Sequence, residues 1–350
     1  MGSRRTPFLL IAACIAWGSP KAVAQTPVTG HYPPGQSGIR GAVTPEAGLS
    51  YTNFSRFFTN LEMVGSTGAS SEDMSELRYA NISMFTWTTN RMVFGMRFGA
   101  LAGVPVATGD ISAGGEDSGF GLGDILITPL SLYGRSASFD YQFQFTVWTP
   151  SGYFSPGSAR NRGTGFWALI YSLGGVFYPG GDRDGWSVSL VVRTEQNFEQ
   201  RLSKIGPGDD VVVDWGVGRV ARVLDRRLDA GLSGFGVWQL TAQQGGPAVA
   251  DHQRYRLMGV GPEASLSLAD ALALRVRAHW EFAARSIVRG NNLWIIFNYQ
   301  IQNTRASDRS GFRVSGSGRP RNSETVKGSS SRRAVPVRVS PRWDSAPCGR

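Results

Sequence analysis

Cysteine is nearly absent from this sequence, and neither copy is placed to staple a fold: Cys14 lies in an apolar N-terminal stretch and Cys348 close to the C-terminus. An exported chain of this size without disulfides needs another means of holding together, and a closed β-barrel supplies one. Long hydrophobic runs are also missing. No window after residue 24 approaches the roughly 18 consecutive apolar residues of a membrane helix. Histidine occurs only at 31, 252 and 279, far apart, and acids show no calcium-loop spacing, so no metal site or cofactor is expected. Glycines 119, 121 and 123 superficially suggest a phosphate loop, but no helix pattern follows to supply a dipole. They read instead as glycines that ease turns and close strand approach.

Positive charge is scarce where a folded surface would carry it. Residues 1–24 hold 3 bases and no acid, and residues 303–350 hold 11 bases and 3 acids. Taken from totals of 36 and 26, these leave 22 bases against 23 acids over residues 25–302. The net charge of +10 therefore belongs to the two ends, which disfavours nucleic acid as a partner.

What is present begins with an export signal. Arg4 and Arg5 precede an apolar stretch over 7–17, and Ala22-Val23-Ala24 places small residues where a signal peptidase reads, so residues 1–24 are expected to be removed. Ile11-Ala12-Ala13-Cys14 offers an alternative, a lipidation site at Cys14.

The body alternates with period two. Phe139, Tyr141, Phe143, Phe145 and Val147 interleave with Asp140, Gln142, Gln144 and Thr146; Leu272 to Phe282 alternates in the same way with Arg275, Arg277, His279 and Glu281. Met92, Phe94, Met96 and Phe98 form a shorter series, and Leu293, Ile295, Phe297, Tyr299 and Ile301 the last one. Twelve strands are predicted, over 48–58, 77–88, 91–102, 121–133, 137–149, 165–178, 185–197, 210–224, 227–241, 254–268, 271–283 and 291–302. The connections alternate long and short: a long one follows the first strand, then come Thr89-Asn90, a long loop over 103–120, Gly134-Arg135-Ser136, and so on to Asp225-Arg226 and Ala269-Asp270. That is the pattern of an all-β, transmembrane antiparallel barrel with long extracellular loops and short periplasmic turns. The outer membrane is its location, with both termini in the periplasm. Trp186, near a short turn, and Trp238 and Trp280, near long loops, suit an aromatic girdle or an ordinary core equally.

Four regions follow: a signal (1–24), an N-terminal periplasmic segment (25–46) for which entry into the lumen is left open, the barrel (47–302), and a basic tail (303–350) expected to be disordered. The polar phase should line the lumen with Arg97, Asp140, Gln142, Gln144, Arg193, Glu195, Asn197, Asp214, Arg275, Arg277, His279 and Glu281. These can pair with one another to satisfy the wall, or form a mixed-charge constriction for small, weakly charged solutes.

Several pieces resemble the outer-membrane family named after the meta-cleavage pathway of phenol degradation: His31-Tyr32-Pro33-Pro34-Gly35, Pro45-Glu46-Ala47-Gly48-Leu49, Gly121-Leu122-Gly123-Asp124-Ile125, Thr149-Pro150-Ser151-Gly152-Tyr153, Gly236-Val237-Trp238-Gln239-Leu240-Thr241 and Gly259-Val260-Gly261-Pro262-Glu263. The resemblance implies an outer-membrane barrel that passes aromatic or other apolar small molecules, with membrane lipid, such solutes and the barrel-assembly machinery as partners. It carries no catalytic residues. One departure is that barrels of this kind usually end on an aromatic residue of the last strand, whereas here Tyr299-Gln300-Ile301-Gln302 is followed by the basic tail. The expected function is a passive channel and not an enzyme. The alternatives are a lipid hydrolase built on His279 with Ser267 or Ser286 beside it, or a structural barrel whose loops engage other surfaces.

Overall fold

A computed structural model describes residues 28–111, 119–158, 160–245 and 254–303. The signal over 1–24, His252, both cysteines and the tail beyond residue 303 lie outside the described residues.

Among the described residues fourteen strand segments follow one another: β1 (Gly48–Val64), β2 (Ser70–Val93), β3 (Met96–Ala107), the two-residue β4 (Gly121–Leu122), β5 (Leu126–Arg135), β6 (Phe139–Trp148), β7 (Ala168–Phe177), β8 (Trp186–Asn197), β9 (Asp210–Val223), β10 (Arg226–Gln239), β11 (Arg256–Ala269), β12 (Leu272–Arg285), the three-residue β13 (Ile287–Arg289) and β14 (Asn291–Asn303). Omitting β4 and β13 leaves twelve wall strands, each antiparallel to its sequence neighbour. The sheet closes because β1 pairs with both β2 and β14, with Phe54 opposite Ile82 on one side and Ile296 on the other. Closure leaves no unpaired edge for hydrocarbon to meet, which is why an all-strand wall can cross a bilayer.

The two-residue period sorts the side chains. Phe139 and Tyr141 on β6, Leu173 and Phe177 on β7, and Phe297, Tyr299 and Ile301 on β14 are exposed on the outside, while Asp140, Gln142, Thr146 and Trp148 are buried on the inside. An exposed apolar band around a closed barrel is the surface that lipid requires. Trp186 and Trp280 lie in that outer surface, exposed at opposite ends of the wall.

Several turns sit a residue or more from where the sequence placed them. The β2–β3 connection is Phe94-Gly95, not Thr89-Asn90; both residues have positive φ, 52° and 74°, the geometry of a two-residue hairpin that follows strand twist. Phe94 is accordingly 91% exposed, and the Met92–Phe98 periodicity is cut by the turn. Leu224-Asp225, with φ of 49° and 59°, likewise replaces Asp225-Arg226. The loop after β1 is not long: β1 and β2 continue as a hairpin beyond the wall and meet at residues 65–69, with β13 pairing onto Glu62–Val64. On β5 the register slips between Ile127 and Leu130, around Pro129, which has no N–H to offer the ladder.

One part of the outer face is polar. Asn53 and Ser55 on β1 meet Asn81 and Ser83 on β2, Asn53 donating to the Asn81 side-chain carbonyl at 3.0 Å and Asn81 donating back to Asn53 at 2.9 Å. Tyr51 and Tyr79 hydroxyls reach Ser83 and Ser55 at 3.0 and 3.1 Å. Asn53 is paired with Phe297, midway along the outward series from Leu293 to Ile301, so this cluster sits at mid-depth of the apolar band.

Candidate functional site: the barrel lumen

The N-terminal residues 28–47 lie inside the barrel, running from its loop end to its turn end before β1 begins. Val28 takes a hydrogen bond on its carbonyl from Gln243, beyond the loop end of β10, while Thr44 donates to the Gly134 carbonyl at 2.7 Å near the turn end of β5. Glycines on the wall make room for it. A Cβ at Gly216 would lie 2.4 Å from the Ile39 nitrogen, and one at Gly218 would strike the Ile39 side chain, so β9 offers bare backbone where the segment passes.

Polar anchors then fix its path. Asp214 accepts from the Tyr32 hydroxyl at 2.6 Å, the Gly35 N–H at 2.9 Å and the Ser37 N–H at 3.1 Å. Arg193 donates to the same carboxylate at 3.0 Å and to Ser37 at 2.7 Å, its guanidinium stacked 4.2 Å from the Tyr32 ring centroid. Glu263 accepts from the Ile39 N–H at 3.1 Å and from Arg277 at 2.8 and 3.0 Å, and Arg277 also donates to the carbonyls of Gly35 and Gln36. Ser189 donates to the Gly38 carbonyl at 2.6 Å, and Arg40 is paired with Asp229. Toward the turn end, Arg97 and Arg135 donate to the carbonyls of Pro45 and Thr44, each at 2.7 Å.

At the loop end His31 is the anchor. Its N–H donates to Glu195 at 2.5 Å; its ring nitrogens lie 3.3 Å from Glu195 and 3.2 Å from Asp124, and Thr164 Oγ1 is 2.6 Å from Nε2. The ring is buried between Phe166 and Trp148, at 4.5 and 5.3 Å. Burial alone would lower its pKa, but the hydrogen bonds and charges of Asp124 and Glu195 outweigh that and raise it above 6.5. Asp124 is also desolvated, yet His31 and the N–H groups of Thr164 and Gly152 hold its carboxyl below the usual range. Three sequence pieces far apart in the chain, around His31, Asp124 and Gly152, thus converge on one cluster.

The twelve residues expected on the lumen wall divide by what they touch. Arg97, Arg193, Glu195, Asp214 and Arg277 hold the N-terminal segment, as above. Asp140 is tied into the turn end, accepting from Tyr178 at 3.0 Å and Arg183 at 2.8 Å. Asn197 donates to the Gly208 carbonyl at 2.8 Å and so braces the β8–β9 loop. Glu281 accepts from the Gly290 N–H at 2.8 Å and Asn292 at 2.6 Å. His279, 1% exposed, has Nε2 3.0 Å from Ser233 Oγ and Nδ1 without a partner. Neither Ser267 nor Ser286 is its neighbour, and no carboxylate orients the ring, so the arrangement of a nucleophile facing lipid is not met. Gln142, Gln144 and Arg275, together with Arg193, line open space.

That space is a cavity of about 280 Å³ between the N-terminal segment and the wall formed by β1–β3, β5–β8, β12 and β14. Phe54, Met84, Leu101, Trp148, Ile170 and Ile296 give it an apolar side, and Tyr133, Gln142, Gln144 and Asn298 a neutral polar one. A second cavity of about 290 Å³ lies toward the loop end, bordered by His31, Tyr32, Arg56, Asp210 and Tyr255. Among the described residues no group of three or more His, Cys, Asp or Glu is arranged to hold a metal ion.

Sequence reasoning did not single out Asp210, Asp229, Glu263 or Arg56, all of which point inward. Asp210 shares the parity of Asp214 on β9 and could have been found from it.

Residues 64–297 match the family described as the MetA-pathway of phenol degradation. The chain belongs to this family. Among solved structures, this family member is similar to the COG4313 outer membrane channel from Pseudomonas putida F1, with a TM-score of 0.59, 13% identity, and coverage of 77% of this chain and 99% of that one. It is also similar to the β-domain of the Bordetella autotransporter BrkA, with a TM-score of 0.45, 12% identity, and coverage of 73% and 100%. A third likeness is to the Pseudomonas putida toluene transporter TodX, with a TM-score of 0.36, 10% identity, and coverage of 75% and 91%. No curated protein sequence matches. The first of these likenesses concerns the fold, a closed antiparallel barrel of the outer membrane.

Proposed function

We propose that the protein is a passive outer-membrane channel for small solutes with an apolar, often aromatic, body, in which residues 28–47 act as a plug. The observation that carries this reading is the cavity between plug and wall. An engineered apolar cavity of about 150 Å³ suffices to bind benzene, so about 280 Å³ accommodates a substituted single ring. A similar barrel carrying the name of a channel supports the reading as well. Lipid hydrolysis through His279 gains no support from the geometry, since that ring lies inside the wall beneath Gly35.

Reconstitution tests the proposal. The purified barrel in planar bilayers should conduct, and shortening the chain to begin at residue 48 should raise conductance by removing the plug. Absence of conductance in both forms, with the barrel folded by heat-modifiable migration, would count against a channel.

A further inference from the structure

The cavity between plug and wall has a charge imbalance that solute size alone does not explain. Three arginines border it, Arg40, Arg193 and Arg275, and no carboxylate does. Two of the three are matched elsewhere: Arg40 faces Asp229, and Arg193 faces Asp214 at 3.0 Å. Arg275 has its Nε 3.4 Å from Glu263, and it shares the field of Asp229 with Arg40. Glu263 is already engaged by both hydrogen bonds from Arg277 and by the Ile39 N–H. The guanidiniums of Arg40, Arg275 and Arg277 thus share two carboxylates, Asp229 and Glu263, and the Arg275 Nε, shielded from water, faces Glu263 without completing a hydrogen bond. The Arg275 side chain is 23% exposed, and the open space it borders is this cavity. A cation held in a partly dry wall with less than a full counter-charge attracts an anion more strongly than it would in water.

The surroundings say what else that anion must carry. Arg275 pairs with Ile296 on β14, and Ile296 pairs with Phe54 on β1, so Arg275 and Phe54 are two strand spacings apart, about 10 Å. Beyond Phe54 the cavity wall continues with Met84, Leu101 and Trp148. A guanidinium with an aromatic ring two strands away and apolar side chains further round the same cavity is a site for an amphipathic anion. The neutral donors Gln142, Gln144 and Asn298 can take a second polar substituent without opposing its charge.

We propose that this cavity binds small organic carboxylates with an apolar body, typified by an aryl carboxylate, with the carboxylate at Arg275 and the ring against Phe54, Met84 and Trp148. The inference rests on the channel reading and narrows its solute class from apolar molecules in general to apolar acids.

Equilibrium binding of benzoate, benzyl alcohol and acetate to the full barrel in nanodiscs, corrected for empty nanodiscs, tests it. Benzoate should bind at least tenfold more tightly than either of the others, because only it has both the charge and the ring. Arg275→Gln should remove the advantage of benzoate over benzyl alcohol while leaving benzyl alcohol within about twofold, and Arg275→Lys should keep part of it. Equal binding of benzoate and benzyl alcohol by the unaltered barrel, or full benzoate preference in folded Arg275→Gln, overturns the proposal. Acetate binding as tightly as benzoate overturns the part played by the ring. Conductance measured on the same preparation separates the two readings. A conducting barrel without benzoate preference removes this inference alone, whereas selective benzoate binding with no conductance removes the channel and leaves the site.

Discussion

Replacing Asp214 with Asn is expected to release the N-terminal segment from the wall while the barrel stays closed. Asp214 is fully buried and collects four donors, three from the segment and one from Arg193. An amide of the same shape can still accept on one oxygen, but its NH₂ faces donors, and the largely buried guanidinium of Arg193 loses its counter-charge. Breaking a buried pair by removing one partner costs about 3–5 kcal/mol. The wall strands β8 and β9 remain joined by their backbone ladder, so most of that cost falls on docking of the segment. At 1.4 kcal/mol per tenfold, even the lower figure raises the undocked fraction by about a hundredfold. The absence of cysteine from residues 25–302 makes this measurable. In a Cys348→Ser background, a single cysteine at Gln36, which borders the cavity, reports each undocking through its rate of maleimide labelling. The Asp214→Asn form should label about a hundredfold faster. A rate within twofold of the parent, with heat-modifiable migration unchanged, would refute the assignment of Asp214 as the main anchor.

Other outcomes follow from the same structure. Because the folded pKa of His31 is raised above 6.5, its contribution to docking is complete below about pH 6.5 and is lost as pH climbs through the raised folded value. Labelling at Thr29→Cys, divided by that of a free thiol at the same pH, should therefore accelerate toward alkaline pH, and His31→Asn should flatten that dependence. Phe94→Asn should stabilise the barrel by up to about 1 kcal/mol in urea refolding, since Phe94 is exposed at φ 52° and Asn tolerates the left-handed region better; a loss of stability would contradict the turn assignment. Asn81→Leu should cost about 1–3 kcal/mol by removing both bonds of the reciprocal Asn53–Asn81 pair, leaving Asn53 only its longer contacts to Tyr51, Ser55 and Ser83, and adding Asn53→Leu should recover most of it. Additive losses in the double variant would contradict a shared network.

The wall was legible where one face met lipid and the other met polar groups. β6, β12 and β14 alternate cleanly because Phe139, Phe282 and Phe297 face outward while Asp140, Arg275 and Asn298 face inward. β10 and β11 were harder to read for inner contacts. Their inward phase mixes Gly231, Phe235, Val237 and Leu257 with Asp229 and Glu263, because the inside is partly a packed core and not water. The turns slipped because Phe94 and Leu224 are apolar residues in positions where Gly, Asn or Asp are usual, so each read as a continuing strand. The N-terminal segment has no periodicity and its partners are far away in the chain, from 52 residues for Pro45 and Arg97 to 242 for Gly35 and Arg277. Its place in the lumen could not be read from local pattern. What the sequence did carry was the cluster of pieces around His31, Asp124 and Gly152, whose common cause is one set of hydrogen bonds at the loop end.

The amide and hydroxyl cluster of Asn53, Ser55, Asn81 and Ser83 gives the barrel a bearing within the plane of the membrane. A cylinder with uniform apolar sides is indifferent to which way it is turned toward its neighbours. This one is not: along β1 and β2 the acyl chains meet a patch that competes with their own cohesion, while along β6–β8 and β14 they meet mainly apolar and aromatic side chains such as Tyr141, Leu173, Leu190 and Phe297. Any molecule that crowds against the barrel in the bilayer, lipid or protein, therefore distinguishes that side from the rest, and lateral order around the barrel should be set from the β1–β2 side.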